Sequence, residues 1–160
     1  MADDEFGFPR PRAETGVEGA PATRAVLEAH PDMWPRISSA VPAGWDHEIA
    51  QALQAIVALA AETGVEIRVS QIKSKLASLR IYVDIDEESL GPVEIAGSTP
   101  ISTRLRSSST SDSIRERATG IVDAAAKRCE SRCERCGAPG AFLDDGGWLR
   151  IACTAHARRD

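Results

Sequence analysis

The clearest pattern along the chain is a set of apolar positions at three- and four-residue steps: Trp45, Ile49, Leu53, Ile56, Val57 and Ala60. That spacing lines one face of an α-helix beginning at about Trp45 or Asp46, after the turn Pro42-Ala-Gly44. Gly64, just past Glu62-Thr63, is the natural left-handed cap that ends it. The period then changes from helical to alternating. Val65, Ile67 and Val69 alternate with Glu66, Arg68 and Ser70, and Leu79, Ile81, Val83 and Ile85 alternate with Arg80, Tyr82 and Asp84. Two half-buried strands are predicted, paired antiparallel with one face covered by the helix. Residues 71–78 follow neither period and read as a wide connection or a short helical turn.

Residues 86–111 lose periodicity, punctuated by Gly91-Pro92, Gly97-Ser-Thr-Pro100 and a serine run, and are expected to form a solvated loop. Val93 and Ile95 are candidates for a short edge strand within it. A second helix is predicted from Ser113, whose spacing to Glu116 fits a capping box. Its apolar stripe is Ile114, Ala118, Ile121, Val122, Ala125 and Cys129, and it runs to about Ser131. Upstream, residues 23–30 predict a two-turn helix closed by Pro31. Met33, Trp34 and Ile37 are expected to dock on the core, with dimerisation the rarer alternative. Residues 1–22, rich in proline, glycine and acids, are expected to form a disordered tail. The predicted class is α+β: a helix packed on a small antiparallel sheet, and a second helix leading into a C-terminal finger. Three parts are expected, a tail over 1–22, a body over 23–131 and a metal module over 132–160.

The finger rests on chemistry as well as pattern. Cys133-Glu-Arg-Cys136-Gly137 and Cys153-Thr-Ala-His156 are separated by sixteen residues. Two such pairs suit four ligands on one tetrahedral Zn²⁺: Cys133, Cys136, Cys153 and His156. Gly137 tolerates the positive φ that a Cys-x-x-Cys-Gly turn needs. Ala141-Phe-Leu143 and Trp148-Leu-Arg-Ile-Ala152 read as short strands joined by Asp144-Asp-Gly-Gly147. Knuckle, hairpin and ligand-bearing terminal turn predict a treble-clef-like finger, with a zinc ribbon second. Four protein ligands close the site, so one structural zinc is expected rather than a catalytic one. Cys129, four residues before Cys133 on the helix stripe, is an alternative ligand, but a small buried thiol is the favoured reading.

Composition fixes the surroundings. Only 3 Phe, 3 Trp and 1 Tyr are present, so the core must be built from Ala, Ile, Val and Leu. No apolar run reaches the ~18 residues of a membrane span, and the acidic start Met-Ala-Asp-Asp-Glu-Phe is unlike a secretory signal. A cytoplasmic protein is expected, where cysteines at this spacing bind metal rather than form disulfides. Residues 1–100 hold 8 Lys+Arg and 16 Asp+Glu, a net of −8, while residues 101–160 hold 11 and 8, a net of +3, giving −5 in all. Arg132, Arg135, Arg150, Arg158 and Arg159 are therefore candidate nucleic-acid contacts around the finger. Lys127 and Arg128 add to that group, and Lys73, Lys75 and Arg80 with Tyr82 form a second basic group. Interleaved Glu130, Glu134, Asp144 and Asp145 favour an ordinary mixed surface instead.

Three blocks of the chain resemble a family of small uncharacterised proteins of tailed phages and prophages. These are Gly44-Trp45-Asp46; Ser70-Gln-Ile-Lys-Ser-Lys75 with Leu79-Arg80-Ile-Tyr82; and Cys133-Glu-Arg-Cys136-Gly-Ala-Pro-Gly140 with Gly147-Trp148 and Cys153-Thr-Ala-His156-Ala157. They span most of residues 44–157. Leu76-Ala77 stand where the family usually has Phe-Gly, the 86–111 loop is longer than usual, and Cys129 replaces a common serine. The resemblance implies one compact unit ending in a zinc finger in bacterial or phage-infected cytosol, and transfers no catalytic residue. His30 and His47 stand alone, and Asp84, Asp86, Glu87 and Glu88 read as a solvated charge run, so no catalytic centre is expected. The leading expectation is a non-catalytic zinc-stabilised protein that binds an unidentified protein partner as inhibitor, immunity protein or modulator. Nucleic-acid binding is the alternative, and an enzyme with an unrecognised site comes third.

Overall fold

A computed structural model describes residues 19–34, 38–86 and 108–158. The expectations placed on residues 1–18, on Ile37, on Glu87, Glu88, Val93 and Ile95, and on Arg159 lie outside these. The architecture is α+β. Helix α1 (Pro21–Ala29) leads through a 3-10 turn at Pro31–Met33 to a short strand β1 (Ser38–Ala40). A second 3-10 turn, Ala43–Trp45, opens the long helix α2 (Asp46–Thr63). Strands β2 (Glu66–Lys75) and β3 (Ser78–Asp86) follow, then α3 (Ser108–Cys129), β4 (Ala141–Asp145), β5 (Trp148–Ala152) and a terminal 3-10 turn at Thr154–His156.

The predicted stripe of α2 is the centre of the core. Trp45, Ile49, Leu53 and Ile56 are fully buried, and Leu59 extends the stripe where Val57 and Ala60 are only half-buried. Gly64 ends the helix at φ 67°, its amide bonded to the Ala60 carbonyl at 2.9 Å. Helix α1 starts at Pro21, two residues earlier than expected and inside the segment assigned to the tail, with Ala20 fully buried before it. Proline suits the first helical position because its missing N–H would have no partner there. The cap comes from far along the chain. Asp46 accepts the amides of Ala22 at 2.9 Å and Thr23 at 2.7 Å, which no local reading could foresee.

The sheet is an antiparallel hairpin, β2–β3, extended by β1, which pairs parallel to β2. Residues 71–78, expected to form a connection, belong mostly to the strands. The register slips between Val69 and Gln71, leaving Ser70 as an extra residue in β2. A bulge of this kind shifts the alternation by one. Ile67 and Val69 are buried before it and Ile72 after it, so the apolar face stays continuous while the sequence period breaks. Two residues, Leu76 and Ala77, close the hairpin, with φ of 53° and 60°. Left-handed φ costs an L-residue roughly 1–2 kcal/mol, so the type of turn was hidden by residues that do not usually make it.

Helix α3 starts at Ser108, not Ser113, so Ser113 lies inside the helix and the capping box is absent. Residues 101–119 contain neither Gly nor Pro, and a helix propagates through such a stretch at little cost per residue. Ile114, Ala118, Ala125 and Cys129 are buried and Ile121 and Val122 half-buried, as the stripe predicts. Helices α2 and α3 pack together over the inner face of the sheet, α1 packs on α2, and Trp34 and Met33 join the core.

Candidate metal centre

The chain turns sharply as it leaves α3. The Arg132 amide bonds to the Cys129 carbonyl at 3.1 Å, and Arg132 bridges Pro139 across the knuckle. Within the knuckle, Cys133 N donates to Ala138 O at 2.8 Å and Gly137 N donates to Cys133 O at 2.9 Å, with Gly137 at φ 75°. The β4–β5 hairpin follows, its first strand running two residues past Leu143 to Asp145 and turning at Gly146 and Gly147, whose φ values of 64° and 91° are free of strain only for glycine. Its return strand is tied to the knuckle: Glu134 N donates to Ile151 O at 3.0 Å, and Ile151 N donates to Glu134 Oε1 at 3.1 Å. Cys153 and His156 then sit on the terminal 3-10 turn.

These elements bring Cys133, Cys136, Cys153 and His156 together, with one ligand atom from each lying within 4.8 Å of the others. His156 Nδ1 is 3.3 Å from Cys153 Sγ and 3.6 Å from Cys133 Sγ, and Cys136 Sγ is 3.7 Å from Cys153 Sγ. A disulfide needs sulfurs about 2.05 Å apart. A tetrahedron with metal–sulfur bonds of about 2.3 Å has edges of roughly 3.8 Å. The spacing fits one shared metal ion and not a bridge, and all four cysteines are free. Three sulfurs and one imidazole make a donor set for a soft or borderline cation.

The surroundings prepare the thiolates unequally. Burial opposes ionisation of Cys133, but the amides of Cys153, Arg135 and Cys136 and the His156 ring outweigh it and bring the thiol down to about 6. At Cys136 the Ala138 amide favours the thiolate, yet burial and the adjacent Cys153 and Cys133 sulfurs prevail and raise the thiol above its ordinary value. Crowded sulfurs of this kind require a cation before all can be charged. Cys129 stays outside the cluster, fully buried on α3, and burial pushes its thiol up to about 12, as expected of a core residue.

The segment Gly44-Trp45-Asp46-His-Glu48 joins the finger to the body, and its role was missed. Gly44 N donates to Glu134 O at 2.8 Å, and a Cβ on Gly44 would lie only 2.0 Å from Cys133 O. Only glycine permits so close an approach of two backbones. Trp45 Nε1 donates to Arg132 O at 2.8 Å, Asp46 caps α1, and the buried carboxylate of Glu48 receives both Arg128 and Arg132. The unusual Gly-Trp pair was visible in the sequence, whereas Glu48 carries no local signal.

Two of the candidate nucleic-acid arginines, Arg132 and Arg150, make contacts within the fold. Arg132 is committed to Glu48, at 3.1 Å. Arg150 is mostly buried and donates to the carbonyls of His156 at 3.0 Å and Ala157 at 3.1 Å, clamping the ligand turn against the hairpin. Arg135 and Arg158 are exposed. Arg135 and Arg150 help to line a cleft of about 550 Å³ between the finger and the end of β2 at Ser74. Among the described residues no helix is long and apolar enough to cross a membrane. Comparisons with protein-family models, curated proteins and solved structures return no match.

Proposed function

We propose that this is a non-catalytic protein, stapled by one structural zinc, that acts by binding a protein partner in the cytoplasm of a bacterium or phage-infected cell. Zinc is the choice because Cys₃His with tetrahedral spacing is a common structural zinc set, and all four positions are filled by protein. A closed sphere leaves no place for a reactive water. The finger is treated as treble-clef-like, with its usual terminal helix shortened to one 3-10 turn. The resemblance to tailed-phage and prophage proteins suggests an inhibitor, immunity protein or modulator of a host factor.

One observation carries the protein-binding reading. Around the finger, Arg132 and Arg150 serve the fold, while Phe142 and Trp148 are 59% and 62% exposed on a hairpin pinned by the ligand cluster. Rigid exposed aromatics are typical anchors for a partner protein. The nucleic-acid reading retains Arg135 and Arg158, together with Arg159. The test pairs capture of host proteins on immobilised protein with filter binding of DNA and RNA at low and high salt. A captured protein lost by the Phe142→Ser/Trp148→Ser pair is expected. Salt-dependent nucleic-acid retention abolished by Arg135→Glu/Arg158→Glu would overturn the reading. Arg132→Glu is unsuitable because it would unfold the Glu48 contact.

A further inference from the structure

The β2–β3 turn has a conformation that its own residues disfavour. Leu76 and Ala77 both hold left-handed φ, at 53° and 60°, in a two-residue turn where Asn-Gly is the unstrained choice. Burial of its methyl, 5% exposed, offsets the strain at Ala77. Leu76 has no such compensation, being 66% exposed. A strained backbone that presents an apolar side chain to water points to a contact outside the chain.

Its neighbours indicate the chemistry of that contact. Lys73 pairs with Arg80 across the hairpin and Lys75 with Ser78, so Lys73, Lys75 and Arg80 gather on the outward face near Leu76. The acids of that face, Glu66, Asp84 and Asp86, lie at the opposite end. Tyr82 is 44% exposed on the basic side, but Lys73 Nζ stands 5.0 Å from its ring centroid and bonds Gln71 at 2.6 Å. An ammonium over the ring disfavours base stacking there. Beside Leu76 a groove of about 400 Å³ runs between β3 and α3, with Leu79, Ile81 and Val122 on its walls, two cations, Lys75 and Arg80, and one acid, Asp123.

We infer that this end of the hairpin is a docking surface for an acidic segment of a partner protein. Leu76 is its apolar anchor, and Lys73, Lys75 and Arg80 meet the partner's carboxylates. An apolar centre with a complementary charged rim is the usual division of labour at such contacts. The inference rests on the reading that the chain binds proteins, and adds a second surface besides Phe142 and Trp148, with the chemistry of the segment it takes.

The test selects a displayed library of random dodecapeptides on the full chain and measures the enriched peptides by fluorescence anisotropy. Asn fits the turn, so Leu76→Asn should fold with a Tm at or above that of the wild type. Expected are peptides with Asp or Glu flanking an apolar residue. Their affinity should fall about tenfold or more in Leu76→Asn and in Lys75→Glu/Arg80→Glu, and hold in Phe142→Ser/Trp148→Ser. Peptides that bind Leu76→Asn normally overturn the inference; if they depend on Phe142 and Trp148, protein binding stands without it. Enrichment of no peptide also overturns it. So does retention of an oligothymidylate that is lost in Lys75→Glu/Arg80→Glu but kept in Leu76→Asn, which assigns the patch to nucleic acid.

Discussion

Gly44 is the tightest point between finger and body. An added Cβ would meet Cys133 O at 2.0 Å and Gly137 N at 2.4 Å, both backbone atoms of the knuckle. Neither can move without opening the ligand cluster. Gly44→Ala is therefore expected to cost about 3 kcal/mol, the upper part of the usual overpacking range, read by urea denaturation. Glu48 illustrates an asymmetric ion pair. Its side chain is 4% exposed, while those of Arg128 and Arg132 are 43% and 48% exposed. Arginines stripped of Glu48 regain water, but Glu48 stripped of both arginines is a buried unpaired charge. The double variant Arg128→Ala/Arg132→Ala should lose roughly 3–5 kcal/mol, and Arg128→Ala alone clearly less, in the same urea experiment.

Among the elements, β2 carries the sharpest test because its bulge sets which side chains face inward. Ile72→Ala should cost about 2–5 kcal/mol as a core deletion, whereas Gln71→Ala should stay within about 0.5 kcal/mol as a surface change. Equal effects would place the bulge elsewhere. This strand also shows where sequence reading stops. The stripes of α2 and α3 were legible because burial there follows one uninterrupted period, and the hairpin of the finger because Gly146-Gly147 marks its turn. At Ser70 the period slips by one residue, and at Leu76-Ala77 the turn lacks its usual residues, so ladder pairing that no local pattern reports extends both strands. The start of α1 was hidden for a related reason, since its cap is Asp46 on another helix. The start of α3 was misplaced by a serine pattern that fits a cap but lies within an unbroken helical stretch.

At the scale of the molecule, the four ligands were legible from spacing alone, while the way they are joined to the body was not. Trp45 reaches the Arg132 carbonyl and Gly44 the Glu134 carbonyl, so the finger packs on the start of α2 and does not hang from α3 alone. Removing the metal with a chelator should therefore loosen that helix start as well as the finger, seen as faster hydrogen exchange in α2 and α1. Acid should act through the ligands. Cys133 is depressed to about 6, below the roughly 8.5 of a free thiol. Its contribution is thus complete above the unfolded value and is lost as pH falls through about 6. Metal retention, followed by a chromogenic zinc indicator, should be stable at pH 8 and be lost on acidification, as protons compete for the thiolates and the imidazole.

The zinc content of the purified chain tests the structural centre most directly. One equivalent per chain is expected, unchanged in Cys129→Ala and lost in Cys136→Ser and in His156→Ala. Less than about half an equivalent in the wild type, or loss of the metal in Cys129→Ala, would contradict it.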